Sequence, residues 1–485
     1  MLFNSWGYLL FLLAFVPLHW ILPSGRGRIG LLGLASVLFY GMWRWEFCFL
    51  VLLSAVIDFY SARRIHASEE ARVRKSWLAL SLCINLGLLV FFKYTYFLHD
   101  NVRLIGSAAG YDIPALRDLG VRIILPLGIS FYTFQTISYT IDIYRRVAQP
   151  TRSFWSFLTY VTFWPQLIAG PVLRASEVIP QLEEKRSFDS NKFFLGLQLI
   201  ILGLFKKVVL ADSIAPMVDE AFAQDVAVMG ALDVWVSTFL FGFQIYFDFA
   251  GYSSIALGSA LLVGLTFPAN FNWPYLAKSP REFWQRWHIS LSSWIRDYLY
   301  LPLTGQAFRN KSTGGLPVSA SGTQRNRALL MSWLIMGLWH GSAWTFVFWG
   351  LYHALLILIF RGVPFLDSLP KRLPLVSLFV MLPLGMAGWI FFRAESLGQA
   401  LTMYSRIVDP RAYGFGQRAV DIYSYLWAFL ITLGMLSTHV ALLKRVRKAL
   451  PWPLVLVIAN LALAAMICGI LVCMGQQKQF IYFQF

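Results

Sequence analysis

WPLVLVIANLALAAMICGILVC, residues 452–473, decides the fold class. Its 22 residues carry no charge. As a helix rising 1.5 Å per residue it would reach roughly 33 Å, enough to cross a hydrocarbon core of about 30 Å. Apolar runs of this kind recur along the chain. They predict spans at 6–23, 29–43, 46–60, 77–97, 121–141, 193–212, 232–266, 328–347, 349–361, 374–392, 423–443 and 452–473. The expected fold is therefore all-α and polytopic, with about 11–12 transmembrane helices in a single domain over 1–485. Segment 232–266 is too long for one simple span, and 349–361 is short. Segment 153–170, interrupted by Pro165 and Gly170, reads as re-entrant.

Composition excludes the main competitors. Of 485 residues, 58% are hydrophobic and 13% charged, about half the charge of a soluble domain. Aromatic residues make up 17%, with 19 Trp and 21 Tyr, as two membrane–water interfaces require. The net charge is +17, from 41 basic and 24 acidic side chains. The basic residues sit between the apolar runs, which reads as cytoplasmic loops and not as a nucleic-acid surface. Cys48, Cys83, Cys468 and Cys473 all lie in apolar stretches without metal-site spacing, and are expected to be buried small hydrophobes. The N-terminal run lacks a basic leader or a cleavage site, so 6–23 is expected to be a retained span.

Charge also orients the chain. Arg63, Arg64, Arg72, Arg74 and Lys75 form one basic loop, and Arg145, Arg146 and Arg152 a second. Lys278, Arg281, Arg286, Arg296, Arg309, Lys311, Arg325 and Arg327 mark a third region; Lys371 with Arg372, and Lys444 through Lys448, complete the set. All fall on one side if 153–170 is re-entrant, and that side is expected to be cytoplasmic, with the N-terminus outward. The Gly/Ser/Thr/Asn-rich stretch 304–325 reads as a mobile loop.

Ionisable residues within apolar segments are functional candidates because their burial is costly. They are Asp58, Lys93, Lys206, Lys207, Asp212, Asp248, His340 and His353. Asp58 and Asp212 lie near span ends, where structural pairing is expected. His340 stands in Met336-Gly-Leu-Trp-His-Gly-Ser-Ala-Trp344. If that run is helical, Gly337, His340, Gly341 and Trp344 share a face, and the glycines leave backbone space for a ligand. The competing reading is a packed histidine. His288 lies in the polar, Trp- and Arg-rich stretch Pro280–Tyr300, which reads as an amphipathic interfacial segment. Arg281, Arg286 and Arg296 there, with Lys278, are candidates to hold the phosphates of a cytoplasmic cofactor. A lipid-headgroup role is the alternative. His353 is expected to be a core or supporting histidine. There is no H-E-x-x-H, Walker A, G-x-S-x-G or Rossmann signature, and no metal site is expected.

The ordered pair Trp287-His288 and Trp339-His340 resembles the membrane-bound O-acyltransferases, particularly their alginate O-acetylation branch, with similarity to the cellulose-acetylation and teichoic-acid D-alanylation members. Further matching segments are Leu125–Tyr139 with Ile141–Tyr144, Pro165–Pro171, Phe247-Asp-Phe249 with Gly251-Tyr-Ser253, Asn270-Phe-Asn272 with Pro274-Tyr275, Phe283–Tyr300, Gly337–Gly341 and the terminal Phe480–Phe485. The resemblance implies helices around a tunnel, with His340 at the family's catalytic histidine and His288 at its second characteristic polar position. It implies a bacterial inner-membrane enzyme that takes acetyl from cytoplasmic acetyl-CoA, a substrate and not a resident cofactor. The group is passed outward, with a periplasmic acetyltransferase partner completing O-acetylation of an exported polysaccharide of alginate or cellulose type. Arg286 and Arg296, with Arg281, are then the candidate CoA contacts, and Trp339 or Trp344, or a buried Asn, the candidate N–H donors to an oxyanion. Ser254, Thr304 and Gln285 depart from the branch's common residues, so the polymer stays open. A protein or lipid acceptor is the alternative within the enzyme class. A transporter or scaffold subunit of a polysaccharide secretion complex is the alternative outside it.

Overall fold

A computed structural model describes residues 3–167, 170–305, 321–414, 419–439, 452–474 and 480–481. Most of the stretch expected to be a mobile loop, the basic run Lys444–Lys448 and the last four residues of the terminal motif lie outside the described residues. Among the described residues the regular structure is helical, with no β-strand. Among the described residues six helices are long and apolar enough to cross a membrane: Trp45–Ala67, Ala71–Ala108, Ser190–Ala223, Ala231–Leu262, Trp344–Gly362 and Pro374–Arg393. The chain is thus an all-α polytopic membrane protein. Of the other expected spans, 6–23 is a shorter apolar helix, 29–43 and 121–141 fall on 16-residue helices, 328–347 falls on a helix that ends at His340, and 423–443 and 452–473 fall on Ile422–His439 and Trp452–Cys473.

Two compact units emerge. The first contains the described residues of Met1–Gln198 and Ala256–Pro268. Its helices are α1 (Trp6–Ile21), α2 (Arg26–Gly41), α3 (Trp45–Ala67), α4 (Ala71–Ala108), α5 (Ile129–Tyr144), α6 (Phe154–Thr162), α7 (Trp164–Leu167) and α8 (Ala175–Glu183). The predicted span 121–141 begins only at Ile129. Gly128, before it, takes a left-handed conformation (φ 72°), and a Cβ there would lie 2.3 Å from the Leu167 carbonyl oxygen. Only glycine meets both demands. Segment 153–170 is broken, at Phe163 and not at Pro165, which lies within α7; every residue from Ser156 to Leu167 is buried.

Asp58 shows how this unit satisfies a buried carboxylate. Ser81 Oγ donates to Oδ1 at 2.5 Å, and Asn85 Nδ2 reaches both oxygens at 3.0 and 2.9 Å. Ser54 and Thr136 donate to Asn85 Oδ1 at 2.6 and 3.2 Å. The network ties α3, α4 and α5 together, the structural role expected for Asp58.

The second unit contains the described residues of Leu199–Ile255, Ala269–Thr304 and Ala320–Phe485. Its helices include parts of α9 (Ser190–Ala223) and α10 (Ala231–Leu262). It continues with α11 (Pro280–Arg286), α12 (Ile289–Ile295), α13 (Gly322–His340), α14 (Trp344–Gly362), α15 (Pro364–Arg372), α16 (Pro374–Arg393), α17 (Leu397–Val408), α18 (Ile422–His439) and α19 (Trp452–Cys473). The awkward run 232–266 is largely one unbroken helix, α10, whose 32 residues reach roughly 48 Å. In this unit α9 and α10 meet at Gly203 and Gly251, each so close to the other's backbone that a Cβ would collide. Beside that contact Lys207 Nζ lies 2.9 Å from both Asp212 Oδ1 and Asp248 Oδ1, all three side chains being buried. Lys207 and Asp212 therefore face protein.

The cysteine expectation needs correction. Cys83 and Cys468 are exposed, and Cys48 and Cys473 half-buried, because apolar helices of this chain present apolar residues on their outer faces as well.

Candidate active site

The stretch around His288 is two short helices with a bend. Ser279 caps α11 by accepting from the Glu282 N–H at 3.1 Å, and Pro280 fits the first turn, where no N–H partner is needed. The helix stops at Trp287. His288 then takes a left-handed conformation, φ 42° and ψ 54°, before α12 begins. That conformation is uncommon for a residue with a Cβ and persists where neighbours enforce it. Asn270 supplies the enforcement. Its carbonyl oxygen accepts from the Ile289 N–H at 2.9 Å, and Asn272 donates its N–H to the Arg286 carbonyl oxygen at 2.9 Å. Asn270 Oδ1 also accepts from the Ser290 N–H at 3.2 Å and from Ser290 Oγ at 2.9 Å.

These bonds fix the histidine's tautomer. A backbone N–H can only donate, so the Asn270 atom facing Ser290 is the oxygen. His288 Nδ1 lies 3.2 Å from that same oxygen and must therefore carry the proton. Nε2 is left with the lone pair. Burial favours the neutral ring further, pushing the His288 pKa down to about 3. The imidazole edge packs on Phe249 at 4.6 Å between centroids.

His340 ends α13. The Trp339 ring stands 4.9 Å from His340 and 6.2 Å from His288, so one indole links two histidines that are distant in sequence. Trp349 and Phe392 close the other sides of His340, at 4.8 and 5.4 Å. All these side chains belong to the second unit and are buried. His353 lies beyond Trp349, 4.9 Å from its ring, and is packed among Phe283, Trp284 and Trp333. Its place is the core, as expected.

The one-face reading of Gly337, His340, Gly341 and Trp344 fails. The helix ends at His340; Gly341 is extended, and Trp344 opens α14, where it is 49% exposed. Nor do the glycines leave room for a ligand. A Cβ on Gly337 would meet the Phe346 carbonyl oxygen at 2.3 Å, one on Gly350 the Trp333 carbonyl oxygen at 2.3 Å, and one on Gly341 the Phe346 ring at 2.0 Å. They serve the close approach of α13 to α14, the small-residue packing used where helices associate without a hydrophobic drive.

The three arginines differ in what holds them. Arg286 is engaged by Glu282 at 2.8 Å and donates to the Asn272 carbonyl oxygen at 3.0 Å. Arg296 is exposed and bonded to Asp297 at 2.7 and 3.1 Å. Arg281 is exposed on the first turn of α11. An apolar cavity of 340 Å³ lies elsewhere in the unit, lined by Phe243, Tyr246, Tyr275, Trp427, Leu430 and others. Two of its walls, Tyr246 and Tyr275, stand 6.1 and 6.0 Å from Trp287. Among the described residues no group of three or more His, Cys, Asp or Glu is placed to hold a metal ion. Sequence reading missed Asn270 as a supporting residue. Its only signal was its membership of the Asn270-Phe-Asn272 segment, because nothing local marks it as the partner of a histidine 18 residues on.

Comparison with known proteins identifies the family. The model of the membrane-bound O-acyltransferase family matches residues 145–372, which contain both histidines. A "probable alginate O-acetylase" of Azotobacter vinelandii is 40% identical over 84% of this chain and 77% of its own length. The peptidoglycan O-acetyltransferase of Helicobacter pylori is 36% identical over 77% of this chain and 72% of its own. The teichoic acid D-alanyltransferase of Streptococcus thermophilus is 30% identical over 55% of this chain and 64% of its own. With that likeness covering most of both chains in the first two cases, this chain belongs to the membrane-bound O-acyltransferase family.

Proposed function

We propose that this protein moves an acetyl group from cytoplasmic acetyl-CoA across the bacterial inner membrane for O-acetylation of an exported polysaccharide. The observation that carries the reading is the pair of buried histidines joined by one indole, in a chain 40% identical to an alginate O-acetylase. Names of relatives that act on alginate and on peptidoglycan support a polysaccharide pathway over a protein or lipid acceptor.

His340 is the proposed general base. A neutral imidazole takes the proton from an acceptor hydroxyl as its oxygen attacks the thioester carbonyl carbon. The C–O bond forms, the C–S bond breaks, and the proton passes to the departing sulfur, leaving CoA as the thiol. His288 is assigned the second polar position of the site: the Asn270 bond aims a basic Nε2 away from Nδ1. Trp339, between the two rings, is the proposed indole N–H donor to the oxyanion. Trp344, half-exposed at the start of α14, fits that role less well. Among the arginines, Arg281 is the better candidate for CoA phosphates, because Arg286 and Arg296 already serve carboxylates. A periplasmic acetyltransferase and the polysaccharide export machinery are the proposed partners, with membrane lipid around the helices.

The test is acetyl-CoA consumption by purified protein, read as thiol release, with and without a periplasmic partner and its polysaccharide. Wild type should release thiol and label the acceptor, and His340→Ala should do neither while eluting and melting as a folded protein. A folded His340→Ala with full transfer would overturn the catalytic assignment. Folded wild-type protein that consumes no acyl thioester with partner and acceptor present would favour the scaffold reading.

A further inference from the structure

We propose that the buried Lys207–Asp248 pair clamps the segment at Phe480–Ile481, and that this clamp positions His288. The second half rests on the proposed role of His288 in transfer; the first does not. Asp248 offers two oxygens in a buried setting and uses both. Lys207 Nζ lies 2.9 Å from Oδ1, and the Ile481 backbone N–H donates to Oδ2 at 2.8 Å. An ionised carboxylate is stable there only with such partners, and a bond to a charged acceptor is the stronger kind.

Local structure brings the lysine in. Residues Phe205–Ala211 of α9 form a π-turn, a widened turn that arises mostly where a helix serves a function. It lies one residue past the Gly203–Leu204 step, at the close contact of Gly203 with Gly251. A Cβ on Gly251 would come within 3.1 Å of the Lys207 backbone nitrogen. Lys207 thus enters between the helices, where Asp212 Oδ1 takes a second bond at 2.9 Å and Tyr252 offers its ring face at 5.7 Å.

The clamped segment reaches the site through one aromatic step. Phe480 is fully buried, its ring 4.4 Å from Tyr252 and 5.6 Å from Phe249. Phe249 in turn packs edge-on against His288 at 4.6 Å. Asp248 and Phe249 are adjacent on α10: one fixes the backbone of Ile481, and the other receives the side chain of Phe480 and carries its position to the imidazole. Lys207, Asp248 and Phe480 are proposed as positioning residues, acting on His288 through Phe249.

The clamp can be read without any activity. In protein whose four native cysteines are replaced by alanine, Ile481→Cys reports the segment, being 3% exposed with its N–H retained. N-ethylmaleimide should label it slowly. Adding Asp248→Ala or Lys207→Met should raise the labelling rate about tenfold or more, while Ala354→Cys, buried in the same unit, stays protected in the same backgrounds. Equal labelling of Ile481→Cys with and without the pair, or fast labelling with the pair intact, would overturn the clamp. For the link to His288, Asp248→Ala and Phe480→Ala should lower acetyl turnover by similar factors, about tenfold or more, with donor KM within about twofold of wild type. Released label with unchanged turnover would overturn the positioning role while leaving the clamp. Failure of transfer in the wild type would reject the functional reading and leave the labelling result standing.

Discussion

Replacing Gly337 by alanine tests whether the closeness of α13 to α14 serves the site. The added methyl would lie 2.3 Å from the Phe346 carbonyl oxygen, a backbone atom that no rotamer can move aside. Carbon–oxygen contacts settle near 3.3–3.6 Å, so the two helices must part by about 1 Å. Relief of that kind costs about 1–3 kcal/mol. The displacement falls where it matters: His340 is three residues on, with Trp349 of α14 at 4.8 Å. A misplacement of about 1 Å in a reacting group costs on the order of a hundredfold in rate. Gly337→Ala should therefore lower acetyl turnover by about ten- to a hundredfold and melt a few degrees below wild type. The assays are thiol release and fluorescence-detected thermal unfolding in the same detergent. Gly362→Ala is the matched control, because nothing lies within 4 Å of its Cβ, and it should leave both readings near wild type. Gly337→Ala that melts with the wild type and retains turnover within twofold would refute the reasoning.

Three further outcomes follow from the same contacts. Asn270→Ala removes the acceptor of the Ser290 N–H, Ser290 Oγ and His288 Nδ1 together; it should cost about 1–3 kcal/mol in unfolding and depress turnover more than donor affinity, as steady-state kinetics will show. His288 is held neutral with a pKa near 3, so the folded state resists its protonation: its stabilising share is complete above the ordinary value of about 6.5 and is lost as pH falls towards 3, by about 1.4 kcal/mol per pH unit. Melting curves of His288→Asn, compared with wild type between pH 7 and 4, should show the shallower acid loss. Asp58→Ala leaves Ser81 and Asn85 without their shared acceptor in the first unit and should destabilise by about 2–4 kcal/mol, while transfer per folded molecule keeps its wild-type parameters.

Much of this was legible in the chain because hydrophobic runs report burial directly. The run at 193–212 becomes part of α9, the one at 374–392 becomes α16, and even the overlong 232–266 resolves into a single helix. What the runs do not report is which backbone lies opposite. Residues 121–128 are apolar enough to extend α5, yet Gly128 is pressed against the Leu167 carbonyl and the helix starts after it. Gly337 and Gly341 flank His340 and looked like space for a ligand; they are occupied by Phe346. His340 was visible as a polar group in apolar surroundings, and His288 as a histidine in a Trp- and Arg-rich amphipathic stretch. Their connection through Trp339 depends on tertiary packing, as do the Asn270 bond and the pairing of Lys207 with Asp248. Pattern identifies the residue that is costly to bury, and only the fold shows what compensates it.

The most direct test of the central claim is acetyl transfer in sealed vesicles carrying this protein, its periplasmic partner and the polysaccharide on one face only. Acetyl-CoA is supplied to the opposite face, and wild type is compared with His340→Ala inserted to the same extent. Wild type should give labelled polysaccharide and free CoA thiol on opposite sides, and the variant neither. Equal transfer by the folded variant, or label reaching the polysaccharide only when acetyl-CoA is on the same face, would contradict that claim.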